Sequence, residues 1–194
     1  MRDAGIGRLL VASLHQGIAD RLPDRLEFYE NWLNPQGLRD GTIGLAALHA
    51  VLSFLRTEGD AYAQVTATAG DYAGGWAMSE LSGFRQWALA SLPAPFRRRI
   101  AFGIARDVIA SAYTGSRIKV KVRQRAGMFE IKSSIFCGVR QPVPHPLCHF
   151  YASAVVSVLA RAGMAATSEI VSCQATGSQC CHVRIDMTPP TEAA

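Results

Sequence analysis

Apolar spacing first changes character at Tyr113, and that switch limits the available folds more than any other feature. Upstream, apolar residues recur with a period near 3.6, the pattern of helices with one buried face. Ile6, Leu9, Leu10, Leu14 and Ile18 form the first such stripe, which Pro23 ends or kinks. Asp24 to Leu33 reads as a short helix stopped at Asn34-Pro35-Gln36-Gly37. Thr42 is placed to cap a helix through Arg56, with Gly59 as its stop. Its Ile43–Leu55 stretch is apolar on nearly every side and so calls for cover all round. Ala61 to Leu81 is rich in small residues. Gly70, Gly74 and Gly75 cost helix propensity and point to close packing against another element. Phe84 to Leu92 and Phe96 to Tyr113 complete the helical half.

Downstream the period falls to two. Arg117 to Arg125 alternates strictly, with Ile118, Val120 and Val122 on one face and Arg117, Lys119, Lys121, Arg123 and Arg125 on the other. Ala126-Gly127 reads as the turn, and Met128 to Phe136 as the return strand. A proline-rich loop, residues 141–146, leads to a helix from Leu147 to Arg161 that ends at Gly163. Two further strands, Thr167 to Gln174 and Cys180 to Met187, flank Ala175-Thr-Gly-Ser. The expectation is an α+β fold, a helical N-terminal half packed on a small antiparallel sheet built as hairpin–helix–hairpin. One domain spans 1–187, with a helical extension at 1–40 and a ligand-binding core at 41–187; 188–194 reads as a frayed tail.

At 194 residues the chain can bury one sizeable core. No apolar run reaches the ~18 residues of a membrane span, and the N-terminus is a poor signal peptide, so a cytoplasmic protein with reduced cysteines is expected. Charge is uneven: residues 1–80 carry a net −4, 81–168 a net +11 and the remainder −2. The basic alternating strand reads first as a solvated face, which also protects against edge pairing; docking on an acidic protein or an anionic membrane surface is the second reading. It has no interleaved aromatics, which argues against nucleic acid.

All five cysteines and three of the five histidines fall between 137 and 182. Such clustering of soft ligands in a reducing compartment suggests a metal site rather than disulfides, with small buried hydrophobes as the plain alternative. With the second hairpin centred on Gly177, Cys173 and Cys181 face each other, Cβ atoms about 4.5–5.5 Å apart. Cys180 then points to the opposite face. Cys148, in the first turn of the preceding helix, offers a third thiolate, its pKa expected to be lowered by the helix N-terminus.

Cys173-Gln-Ala-Thr-Gly-Ser-Gln-Cys-Cys181, with Pro146-Leu-Cys148 and an aromatic helix upstream, resembles the C-x-A-x-G-x-x-x-C signature of the four-vinyl-reductase or hydrocarbon-binding domain family, similar in fold to small TRAPP tethering subunits. The specific part of the likeness is 146–185. It implies a hydrophobic small-molecule ligand and a structural zinc, with Cys148, Cys173 and Cys181 in the cysteine roles. The family's glutamate position is Ile170 here. Glu169 lies one residue earlier, on the strand face of Cys173, so the fourth ligand is Glu169 or else Cys137, His149 or His182.

The leading expectation is a non-catalytic binding protein for an aromatic, lipid or tetrapyrrole-like molecule, dimeric, with His49, Trp76, Trp87 and Tyr113 lining a pocket between the Ile43–Leu55 helix and the Gly70–Gly75 segment. The alternatives are an interaction or tethering adaptor using the basic face, and an accessory of bacteriochlorophyll synthesis, whose enzymatic form would be vinyl-group reduction. No dinucleotide fingerprint, phosphate loop, nucleophile elbow or zinc-protease motif is present.

Overall fold

The computed structural model describes residues 6–33 and 44–187. Among these, seven α-helices accompany a four-stranded sheet. In chain order they are α1 (Arg8–Arg21), α2 (Leu26–Glu30), α3 (Leu45–Thr57), α4 (Asp60–Ser79), α5 (Gly83–Ser91), α6 (Ala94–Ala112), β1 (Arg117–Val122), β2 (Ala126–Lys132), α7 (His149–Arg161), β3 (Ala166–Ser172) and β4 (Cys181–Met187). The Asn34–Gly37 stop, the Thr42 cap and the 188–194 tail lie outside the described residues.

The sheet is antiparallel throughout, in the order β1-β2-β4-β3. Alternation sends Phe129, Ile131, Cys181, Val183 and Ile185 into the core, while Glu130, His182, Arg184 and Asp186 sit on the other face. The helical half covers the apolar side, which gives the expected α+β arrangement. α4 and α7 form its tightest pair. A Cβ added at Gly70 would stand 2.3 Å from the Phe150 carbonyl oxygen, and one at Gly74 2.7 Å from the Ser157 Cβ. α1 joins the same core, with Leu10, Leu14 and Ile18 fully buried and Gly17 against the Val65 carbonyl.

Three local expectations are corrected. β1 ends at Val122, and the turn spans Arg123 to Ala126, closed by the Arg123 amide donating to the Ala126 carbonyl at 2.7 Å. Arg123 and Arg125 therefore belong to the turn. Gly127 instead lies inside β2 because the Phe102 ring occupies the space a side chain would fill. β2 stops at Lys132, and Ile135–Cys137 folds as a 3-10 turn after Ser133, whose φ is 58°. α3 is covered on one side: Leu48, Val51, Leu52 and Leu55 are buried, whereas His49, Ser53 and Phe54 are exposed.

Candidate functional site

Four cysteines from four separate places converge. Cys137 ends the 3-10 turn after β2, Cys148 immediately precedes α7, Cys173 follows β3, and Cys181 opens β4. All four are buried, and their sulfurs lie within 4.8 Å of one another. The sulfur of Cys137 is 3.3 Å from that of Cys148, 3.4 Å from Cys173 and 3.5 Å from Cys181. Cys148 stands 3.3 Å from Cys173 and 3.0 Å from Cys181.

Backbone geometry makes the convergence possible. β3 and β4 run in a register that shifts between Ile170 and Ser172, after which Ser172 pairs with His182. That places Cys173 opposite Cys181. Gly177, at φ 95°, turns the chain in the left-handed region, and the Cys173 carbonyl accepts from Ser178 N at 3.2 Å and Thr176 Oγ1 at 2.9 Å. Two amides point at sulfur: Leu147 N–H donates to Cys173 and Gln174 N–H to Cys181, each at 3.3 Å. Arg56 reaches from α3 to donate to the Phe136 carbonyl at 3.0 Å and the Gly138 carbonyl at 3.4 Å, on either side of Cys137.

Electrostatics within the cluster are collective. Cys173 is held well below the usual thiol range, chiefly because its sulfur accepts from Cys137, Cys148 and Cys181. Cys148 is pushed far above it, because Cys137, Cys173 and Cys181 crowd it and burial penalises its charge. The three neighbouring sulfurs therefore act on Cys148 against the lowering expected from the helix N-terminus. Four thiolates so close repel strongly, and a cation among them would remove that repulsion.

The cluster passes a simple fit test for one tetrahedral ion. At Zn–S distances of about 2.3 Å, the sulfur–sulfur edges of a tetrahedron are about 3.8 Å. The five short edges, 3.0–3.5 Å, need about 0.3–0.8 Å of expansion to reach it. A multi-iron cluster needs a wider cage of thiolates.

Cys137 supplies the fourth sulfur of the cluster. Glu169 is exposed on β3 and ion-paired with Arg184, which stands opposite it in the register. His182 lies on the outer sheet face, its Nδ1 2.8 Å from the Ser172 hydroxyl oxygen, with Cys180 beside it and outside the cluster. His149 lines a neighbouring cavity, and desolvation lowers its pKa.

That cavity has a volume of about 570 Å³ and lies between the end of α3, the start of α4 and the proline-rich loop. Arg56, Tyr62, Val143, His145, Leu147 and His149 are among its lining. Tyr62 donates to the Leu147 carbonyl at 3.1 Å, and burial holds its hydroxyl well above the ordinary tyrosine range. Val143 N–H donates to the Ala175 carbonyl at 2.8 Å, tying the loop to the cysteine hairpin.

The residues expected to line a pocket do not border this one. His49 is exposed on α3, and Trp76 is half-buried against Tyr72, their ring centroids 5.3 Å apart. Trp87 is exposed beside Phe84, and Tyr113 pairs with Ile6 in an isolated bridge. They sit on different elements. Of the glycine segment expected to flank the cavity, Gly70 and Gly74 pack against α7, while Gly75 borders a separate cavity of about 460 Å³ with Met78, Leu81 and Arg161. Sequence reading missed Arg56 and Tyr62 as lining residues. The only signal for them was the run of prolines just ahead of Cys148, which they face.

The sequence matches no family model and no curated protein. Its fold is similar to that of solved structures. An H-NOX protein from S. oneidensis, in the Fe(II)NO ligation state, aligns at TM-score 0.58 and 12% identity over 95% of this chain and 100% of that one. The phenol-responsive sensory domain of the transcription activator PoxR, with phenol, aligns at TM-score 0.50 and 14% identity over 74% of each chain. A trafficking protein particle complex subunit 3 from Naegleria fowleri, covalently bound to palmitic acid, aligns at TM-score 0.48 and 16% identity, over 84% of this chain and 92% of that one.

Proposed function

We propose that this protein binds a hydrophobic small molecule in the cavity beside Tyr62 and Leu147, and that a structural zinc held by Cys137, Cys148, Cys173 and Cys181 shapes that cavity. The observation carrying the proposal is continuity. Leu147 lines the cavity and donates to the Cys173 sulfur, while Arg56 lines it and holds the carbonyls flanking Cys137. Four sulfurs close a zinc coordination sphere, leaving no open position for a reacting water, so the metal's role is to pin the segments together. The cavity falls within the 300–1,000 Å³ range of small-molecule sites, apolar for the most part with a few polar anchors. The 146–185 resemblance to hydrocarbon-binding domains and the fold shared with a phenol-responsive sensory domain both support this reading.

The test is native mass spectrometry with elemental analysis on protein purified without chelator, followed by calorimetric titration with phenol as probe. The expected outcome is one zinc per chain and phenol binding that Leu147→Trp blocks. Fewer than about one zinc per five chains would remove the metal. A zinc-loaded protein that binds phenol as well with Leu147→Trp as without it would displace the ligand from this cavity.

A further inference from the structure

α5 and α6 form a helical hairpin whose exposed side combines aromatic rings with arginines. Phe84, Phe96 and Trp87 are 75%, 59% and 57% exposed, the three most exposed large apolar side chains among the described residues. Phe84 and Trp87 stack on one another, ring centroids 6.0 Å apart. Phe96, Ile100 and Gly103 recur at helical spacing along one stripe of α6. Phe84, Ala88, Ile100, Gly103 and Ile104 border a cleft of about 330 Å³ between the two helices, with Arg85 and Arg106 also on its lining. The β1–β2 turn joins the same corner, because Arg98 donates to the Gln124 carbonyl and Phe102 packs over Gly127. From residue 83 to residue 125 the chain carries ten Arg and Lys against one acid, Asp107, which is paired with Arg106.

We propose that this α5–α6 corner docks the protein on an anionic lipid bilayer. Aromatic and apolar side chains on a basic helical surface suit the headgroup–acyl boundary, where rings are buried and arginines meet lipid phosphates. The exposed Arg85 and Arg99 on these two helices, within a stretch that carries ten basic residues to one acid, complement an anionic leaflet. A single-stranded nucleic acid would call for bases interleaved between rings, whereas Phe84 and Trp87 are stacked on each other.

The test is co-sedimentation of the full chain with large vesicles of phosphatidylcholine, with and without phosphatidylglycerol, at low and high salt. Binding is expected only with phosphatidylglycerol and should weaken with salt. The double substitution Phe84→Ser, Trp87→Ser should lower the partition coefficient about tenfold or more. Arg85→Glu with Arg99→Glu should abolish the lipid preference. Brominated lipid should quench tryptophan fluorescence, and Trp87→Phe should remove most of that quenching. These side chains are exposed, so unchanged circular dichroism melting verifies the fold of each variant. Absence of sedimentation at low salt overturns the proposal. So does binding indifferent to the aromatic substitutions, or displacement of the protein from vesicles by an oligonucleotide that requires the same residues.

Discussion

Cys137 and Cys180 are the pair that tests whether the sulfur cluster holds a metal. Cys137 lies within 3.5 Å of three other sulfurs, while Cys180, next in sequence to a cluster member, faces His182 outside it. Cys137→Ser is expected to lower zinc content and melting temperature together, with a loss of stability of several kcal/mol, since site formation is coupled to folding. Cys180→Ser should change neither, as elemental analysis and thermal melts will report. Arg56 supplies a second residue-scale prediction. Its guanidinium fork spans two carbonyls around Cys137, so Arg56→Met should weaken metal retention about 10- to 100-fold, the usual effect of losing an outer-shell partner. Arg56→Lys should recover little of this, because one ammonium cannot reproduce the fork. Competition with a chromogenic chelator measures both. Three of the four sulfurs were legible as a group, since hairpin arithmetic around Gly177 pairs Cys173 with Cys181 and Cys148 precedes a helix. Cys137 was one option among four, because its entry depends on the 3-10 turn at Ile135, which reads in sequence as continued strand.

The α4–α7 contact is where element-scale packing is least forgiving. Gly70→Ala and Gly74→Ala place a methyl group against the Phe150 and Ala154 carbonyls respectively, and each is expected to cost about 1–3 kcal/mol as the helices are forced apart. Gly103 in α6 is the contrast, with nothing within 4 Å of an added Cβ. Gly103→Ala should stabilise by about 0.5–1 kcal/mol through helix propensity alone. Urea unfolding of the three variants distinguishes the cases. The glycine-rich stretch announced close packing from sequence, but its partner was not legible: α7 packs on Gly70 and Gly74, and the cavity at Gly75 is walled by α5 and α7 residues rather than by α3. α3 erred the other way. Its nearly all-round apolar composition suggested complete cover, yet only one stripe is buried, and Phe54 joins Phe28 and Trp32 in a half-exposed aromatic group.

Across the whole molecule, pH acts through opposite ends of the scale. Burial raises the hydroxyl pKa values of Tyr62, Tyr151 and Tyr29 above the ordinary tyrosine value, with the Glu58 carboxylate adding to the effect at Tyr29. A folded-state pKa above the unfolded one contributes stability that is complete below pH ~10 and is lost as pH rises beyond it. Circular dichroism should therefore show alkaline unfolding beginning near that pH, and Tyr29→Phe should make it less steep. On the acid side, protons compete with zinc for the thiolates, so metal release should accompany acid unfolding. A chelator at neutral pH should lower the melting temperature in the same manner.

Sequence alone determined what depends on local repetition and composition. The change from period 3.6 to period 2 at Tyr113 separates helical half from sheet, because side-chain direction in helices and strands follows from backbone geometry. The soft-ligand cluster and its hairpin pairing were likewise readable, since two cysteines flanking one turn are brought together by that turn. Tertiary structure decided everything requiring distant segments to meet. Residues 56, 62 and 147 share a cavity wall only because α3 and α4 pack beside the proline-rich loop. Cys137 reaches the other sulfurs through the 3-10 turn at Ile135, and Arg56, eighty or more positions away, holds the carbonyls on either side of it. Phe84 and Arg106 share a cleft only because α5 folds back along α6. Local propensity carries no information about which surfaces will touch; that is settled by the packing of whole elements around one core.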